Sequence, residues 1–460
     1  MFKVNIHNFR SFQNQSFDFS KVNILIGENS GGKSSLLKLL LALKQTMDSP
    51  TESNLKLLGD FTDLGNFEEV IYQKNKKLRI KLGFESDERY HDFFLEHVKE
   101  AEKHINKKES AKVKSWSKLF KKSSTSVNVE ISNKLDDHTT LKTVFQNSII
   151  GKVELVHKKP REENPNKLYC DVVYDFGDLK GVFQDCPAGK EGFFTLLEYE
   201  LKDLAIKRYG EDFFDVFYKI VYLLVFQNYV EDNILKIRFV NPIGTSLKRF
   251  YFREDKRSTY SQIDLERVLN VLSDPTLSEK QSTEWLELLN KTIKDFGIAE
   301  ELDIIKDNRL PVLALNVKTK DFWSNITDVG YGVSLQIPIL FQAILSEHYT
   351  RYGQALLIEQ PEVHLHPKLQ ARFIDTLLGI GPKNVYFIET HSEHIVRKLQ
   401  VMIKQKKYDL KPEDVSIHYF RRDTDKFNIT EHKILQDGKL SPNFPEGFFD
   451  TSYNLVRELL

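Results

Sequence analysis

The stretch from Val22 to Leu43, VNILIGENSGGKSSLLKLLLAL, limits what this chain can fold into more than any other part of it. An apolar, β-favouring run, Val22 to Ile26, stops at Gly27, and a leucine-rich segment with helical spacing starts at Lys33 and Ser34. Residues Gly27 to Ser34, GENSGGKS, fill the P-loop pattern in full. Glycines at 27, 31 and 32 free the backbone to turn its N–H groups inward. Asn29, Ser30, Gly31 and Gly32, with the helix N-terminus behind them, are therefore expected to cradle phosphate oxygens. Lys33 is expected to reach the β- and γ-phosphates and Ser34 to take a Mg²⁺ coordination place, with Ser35 beside it among the nucleotide contacts. The competing reading is a bare glycine turn.

At 460 residues the chain can bury a large core and hold two or three domains. Lys+Arg and Asp+Glu are equal at 66 each, so no global charge drives it onto nucleic acid or membrane, and any DNA contact must be local. The two cysteines, Cys170 and Cys186, make no metal or redox motif and read as reduced thiols. No apolar run reaches the ~18 residues of a membrane span, and MFKVNIHNFR lacks a signal-peptide core. The expectation is a soluble, cytoplasmic protein with no membrane contact.

In chain order, Phe2 to Ile6 alternates like a strand and a second strand is expected near Gln15 to Phe19. Arg10, in the loop between them, reads either as a phosphate or ribose contact or as an exposed turn arginine. DFTDLGNFEE, Asp60 to Glu69, reads as a tight connection over the nucleotide or a surface hairpin, and Leu78 to Phe84 as a strand. From Asp87 to Ser126 lysine accumulates; the run is a solvated face or flexible insertion, or a basic arm in which Trp116 and Phe120 stack on nucleic acid. Beyond it, Val127–Ile131 and Lys152–Val156 look like strands, and Phe193–Leu204, Asp212–Phe226 and Thr283–Phe296 like helices. No heptad array is long enough for a coiled-coil arm.

Polar chemistry returns in the last third. TDVGYGVSLQIPIL places Ser334 where a helix is expected to start, a hydroxyl beside free N–H groups suited to a γ-phosphate or simply a capping serine. In QALLIEQPEVHLHP an apolar strand runs into Glu359, a carboxylate at the sheet edge where an α/β nucleotide fold holds its metal. NVYFIETHS repeats the design, with Glu389, Thr390 and His391 emerging at the same edge. His364, His366, His391 and His394, with Glu362 or Glu393, form a competing metal-site reading.

The order FRSF, GENSGGKSS, DVGYGVS, LLIEQPEVHLHP, FIETHSEH resembles the ABC-type ATPases of the SMC and RecF kind. More narrowly it is similar to the stand-alone prokaryotic AAA family ATPases found beside effectors in phage-defence operons. LLLALKQTMDSP, DFTDLGNFEE and PEGFFD resemble a subgroup with a C-terminal domain of unknown function. Asn241-Pro242-Ile243-Gly244 departs from that subgroup's Pro-x-Arg, and no role is carried onto it. The resemblance implies an α/β fold: a split ABC-type P-loop ATPase head with an inserted α+β or helical lid, built from 1–86, 87–310 and 311–460. It implies ATP and Mg²⁺ held by Lys33, Ser34 and Glu359, with Arg10 as a nucleotide contact. It also implies a homodimer or higher oligomer in which Ser334 and Gly330–Gly332 act in trans, Pro361–Pro367 as the dimer-facing loop, and His391 as the switch histidine. Where the common pattern has a water-polarising glutamate this chain has Gln360, so hydrolysis is expected to be slow, with Glu362 or Glu389 as replacement carboxylates. Two functions follow from the resemblance. One is control of an operon-encoded effector such as a nuclease in anti-phage defence; the other is RecF-like action on DNA through local lysines such as those of Lys112–Lys122. Nucleic-acid cleavage by the chain alone is not expected, since the stretch after His394 is poor in carboxylate clusters.

Overall fold

The structure is a computed structural model. It describes residues 2–48, 55–75, 77–87, 89–101, 123–131, 142–158, 168–191, 194–197, 206–210, 213–240, 247–253, 262–274, 276–307, 309–320, 322–350, 353–423, 426–445, 449 and 451–459. The lysine-rich run with Trp116 and Phe120, the stretch Asn241–Gly244 and most of PEGFFD lie outside the described residues. The strands of the first half are β1 (Lys3–Phe9), β2 (Phe12–Phe17), β3 (Val22–Gly27), β4 (Ile80–Glu85), β5 (Thr125–Ile131), β6 (Lys142–Asn147), β7 (Gly151–Lys158), β8 (Leu168–Asp175), β9 (Lys180–Glu191) and β10 (Phe194–Leu197). Those of the second half are β11 (Ile237–Val240), β12 (Tyr251–Phe252), β13 (Gln262–Ile263), β14 (Glu301–Lys306), β15 (Val312–Thr319), β16 (Phe322–Asn325), β17 (Ala355–Glu359), β18 (Val385–Glu389), β19 (Val415–Asp423), β20 (Lys426–Ile434) and β21 (Leu440–Ser441). They fall into two compact units, 1–19 with 35–236 and 20–34 with 237–460.

The first unit is built on a nine-stranded antiparallel sheet, β10-β9-β8-β7-β6-β5-β4-β1-β2. Alternation drives it: Val4 and Ile6 of β1, Leu82 and Phe84 of β4, and Val127 and Val129 of β5 are buried on one face. The helix Phe213–Leu235 packs on β5 and β6 and against the helix Arg89–Ala101, with Tyr90 and Phe226 edge-to-face at 4.9 Å. Cys170 and Cys186 are cross-strand partners, buried and unbonded, and burial pushes their thiols up to about 12 and about 11, so both stay protonated. DFTDLGNFEE forms a turn and one helical turn, Phe67–Val70, in which Asn66 and Glu69 cap each other.

Several expectations shift here. The α+β content expected between 87 and 310 is present, but its strands β5–β10 continue the sheet begun by β1, β2 and β4. From Ile237 onward the chain belongs to the second unit. Phe194–Leu197, expected within a helix, is a strand on the edge of β9. The second strand is Phe12–Phe17, a few residues earlier than read, because Phe12 and Phe17 both point into the core.

The second unit is built on an eight-stranded sheet, β13-β11-β17-β18-β3-β19-β20-β21. From β13 to β19 all neighbours are parallel; β20 and β21 then turn back antiparallel. The P-loop strand β3 therefore lies between two strands from the far end of the sequence, as a head split between the chain's two ends requires. All six residues of β3 are buried, as in a strand covered on both faces, and its one polar member, Asn23, donates to the Ser20 and Tyr386 carbonyls. Val22, Ile24 and Ile26 join one core with the helices Leu265–Leu272, Glu279–Phe296, Tyr331–Tyr349, Pro367–Ile380 and Glu393–Lys404. Among the described residues no helix is long and apolar enough to cross a membrane.

Candidate nucleotide site

The loop after β3 owes its shape to close backbone approach. Gly27 has φ +137°, and a Cβ there would lie 2.0 Å from the Phe420 carbonyl of β19, so only glycine fits. The Glu28 N–H donates to that same carbonyl at 3.0 Å, and the Glu28 carboxylate accepts the Arg422 N–H at 3.1 Å. Ser30 at φ 60° and Gly32 at φ 102° complete the turn, leaving Asn29 and Ser30 exposed at its tip. The helix Lys33–Met47 starts directly behind, and its first-turn N–H groups have no earlier carbonyl of the helix to meet.

Lys33 is 4% exposed, and its ammonium donates to the carbonyls of Gly27 at 3.0 Å and Glu28 at 2.8 Å. Burial holds it below the ordinary lysine range, while Glu389 and Glu28 pull the other way. The Ser34 hydroxyl donates to Glu389 Oε1 at 3.0 Å. Glu359 and Glu389 end neighbouring parallel strands in direct register, so two carboxylates stand side by side at the sheet edge. Gln360 follows with a left-handed φ of 42°, its N–H bonded to the Glu389 carbonyl at 2.7 Å. Next along, Glu362 accepts the His391 N–H at 2.6 Å, and burial raises its carboxyl above the usual range. His391 is lowered by burial first and then by Lys33.

Ser334 differs from expectation. The helix starts three residues earlier, at Tyr331 with Gly330 as N-cap, and the buried Ser334 hydroxyl donates to the Tyr331 carbonyl at 2.9 Å. Gly332 comes so close to the turn after β17 that a Cβ would meet the His364 carbonyl at 2.7 Å, and Gln336 donates to the Pro361 carbonyl at 2.7 Å. The helix Tyr331–Tyr349 and the Pro361–Pro367 segment thus form one packed corner.

The histidine metal reading finds no support in the geometry. His366 caps the helix Pro367–Ile380 by accepting the Lys368 N–H, and His364 lies beside the Tyr331 ring at 5.8 Å. Among the described residues no group of three metal-type side chains comes together. Arg10 and Ser35 belong to the first unit, where Arg10 adopts φ 47° and its guanidinium is lowered by burial.

The second unit therefore gathers Asn29–Ser34, Glu359, Gln360, Glu362 and His391 on one sheet edge, with the Ser334 helix packed on the turn beyond Gln360. Two contributors were underread in the sequence. Glu389 is the direct partner of Ser34, and its only signal was the apolar strand it ends, the same signal that marked Glu359. Phe420 frames the loop through its backbone, which no side-chain pattern announces. An ammonium, a hydroxyl, helix N–H groups and two carboxylates are the donor set for a magnesium-bound phosphate chain.

Comparison with known proteins gives one family and several weaker likenesses. The family model for an AAA ATPase domain matches residues 1–396, and one described as a protein of unknown function (DUF3696) matches residues 410–459. The chain is 26% identical over 81 residues to the DNA replication and repair protein RecF of Bacillus mycoides (strain KBAB4), covering 17% of this chain and 22% of that one. RecF of Bacillus cereus (strain B4264) matches to the same extent, so the chain spans less than a quarter of these relatives' length. Among solved structures, an Smc head bound to the C-winged helix domain of ScpA superposes at TM-score 0.41 and 10% identity, covering 94% of this chain and 98% of that one. An SMC head domain from Thermotoga maritima gives 0.37 and 10% over 93% and 97%. Since the first of the two family models takes in the loop, both strand-end carboxylates and His391 alike, the chain belongs to the AAA ATPase domain family.

Proposed function

We propose that the chain binds ATP with Mg²⁺, hydrolyses it slowly, and uses the bound state to close two copies face to face, so that assembly governs a separate effector such as a nuclease in cytoplasmic anti-phage defence. The observation that carries this reading is the replacement at the hydrolytic position. Gln360 is held in a left-handed backbone at the end of the Glu359 strand, and an amide there can orient a water without accepting its proton.

The loop Gly27–Gly32 and the helix N-terminus would hold the phosphates, and Lys33 would turn its ammonium from the Gly27 and Glu28 carbonyls to them. Ser34 and Glu359 would hold the metal, which when bound neutralises phosphate charge. Gln360 orients the attacking water, and Glu362, tied to the His391 backbone, accepts its proton. With the acceptor displaced from its common position, turnover is expected roughly 10²-fold below a fully equipped site. Ser334, fixed within its helix by the Tyr331 carbonyl, presents the Gly330–Gly332 backbone to the nucleotide of the second copy. The defence reading rests on the resemblance of the motif order to stand-alone ATPases found beside effectors. The RecF match favours a second reading, direct action on DNA.

Light scattering without nucleotide and with ATP–Mg²⁺, on wild type and Lys33→Ala, tests the assembly. ATP is expected to raise the mass of wild type alone; equal masses throughout would overturn ATP-driven closing of two copies. Salt-sensitive DNA binding that strengthens with ATP would transfer the conclusion to the second reading.

A further inference from the structure

We propose that Glu389 is a metal-side carboxylate of this site, and that it makes the site selective for magnesium-bound over metal-free nucleoside triphosphate. The inference rests on the nucleotide reading above and adds to it a residue outside the P-loop and the Glu359 position. Glu389 is 4% exposed, in direct register with Glu359, and its Oε1 accepts the hydroxyl of Ser34, the side chain the loop offers to a metal. Its backbone is pinned on both sides: the Gln360 N–H bonds its carbonyl at 2.7 Å, and the next N–H, that of Thr390, bonds Leu25 of β3 at 3.0 Å. The sheet therefore fixes the point from which the Glu389 side chain reaches Ser34.

Charge decides what this carboxylate does. Glu359 and Glu389 bring two carboxylates in register to a corner where Lys33 supplies a buried ammonium already held by the Gly27 and Glu28 carbonyls. A triphosphate entering without a metal meets like charge in a poorly hydrated setting, where repulsion is far less screened than in water. A divalent cation between phosphate and carboxylates turns the same two groups into ligands, since hard cations take oxygen donors. A single strand-end carboxylate would give a weaker version of this discrimination.

The test is binding of a non-hydrolysable fluorescent ATP analogue to the full chain, with Mg²⁺ and with EDTA, for wild type, E389Q, E389D and E389S, with melting curves to check folding. The amide of E389Q keeps the shape and still accepts from Ser34. Wild type is expected to prefer the Mg²⁺ form by about 10²-fold, and E389Q to lose about 10-fold of that ratio, through weaker binding with Mg²⁺ and tighter binding in EDTA. E389D, which keeps the charge, is expected to retain most of it. Mn²⁺ uptake by the analogue-bound protein, followed by electron paramagnetic resonance, is expected to weaken in E389Q. Should E389Q melt early, E389S decides, a small polar side chain without the charge: weaker Mn²⁺ uptake in a folded E389S supports the assignment, and unchanged uptake overturns it. A folded E389Q with the wild-type ratio also overturns it while leaving nucleotide binding standing. If wild type binds the analogue under neither condition, the nucleotide reading and this assignment fall together.

Discussion

The Lys33 ammonium is closed onto the Gly27 and Glu28 carbonyls, so Lys33→Ala removes both a phosphate ligand and the clasp of its own loop. Analogue affinity is expected to fall at least ~10-fold, a loss of about 1.4 kcal/mol. Glu362 gives a pH signature. As a proton acceptor it must be ionised, and burial raises its pKa, so phosphate release is expected to fail on acidification at a higher pH than an ordinary carboxylate would set. Glu362→Gln is expected to abolish that limb and lower turnover roughly 10²-fold, with analogue affinity little changed. His418 reports on stability instead. Burial drives its pKa down to about 4, whereas the unfolded chain protonates near the ordinary value of 6.5. Between those values the unfolded state binds a proton that the folded state refuses, so this contribution is complete above about pH 6.5 and is lost as pH falls toward 4, about 3 kcal/mol in all. Denaturant unfolding across that window is expected to show the loss, and His418→Gln to flatten it.

Among the elements, the corner between the helix Tyr331–Tyr349 and the turn after β17 separates binding from assembly. In Gly332→Ala the new methyl meets the His364 carbonyl, at a cost of ~1–3 kcal/mol of overpacking against up to ~1 kcal/mol of helix propensity gained. Since Gly332 is not among the loop's own phosphate ligands, analogue binding is expected to stay within ~3-fold while ATP-driven growth in mass is lost. Retained growth would exclude this corner from the dimer contact. The same corner shows why the helix start escaped sequence reading: Gly330 and Gly332 look like loop, yet one is an N-cap and the other is demanded by close packing. Elements whose signal is local were legible. The P-loop strand and helix, the strands ending in Glu359 and Glu389, and the helix Glu279–Phe296, extended one turn by its Ser278 cap, all carry apolar periodicity of their own. Phe194–Leu197 was misread because four apolar or β-branched residues in a row fit either period. β19 and β20 went unread because polar residues fill inward positions: Ser416 is satisfied across the pair by Glu431, and His418 by Ser416. Such partners are visible only once the strands are paired.

At the scale of the molecule, the decisive fact is that 20–34 belongs with 237–460. Residues 237–460 expressed alone lack the strand between β18 and β19, leaving two apolar edges facing a gap. Circular dichroism and light scattering are expected to report an unfolded or aggregated product, whereas a folded, soluble fragment would contradict the sheet order. That threading also bears on synthesis. The loop strand ends at Gly27 and leaves the ribosome long before its two neighbours, which end at Glu389 and Asp423. At ~5–20 residues per second the interval is on the order of 20–80 s. Throughout it the apolar run Val22–Ile26 has no sheet to join, and the loop has no Phe420 carbonyl to shape it. A ribosome-bound chain thus holds the complete P-loop sequence without its ligand geometry, and nucleotide capture waits until Phe420 has emerged and β19 has paired.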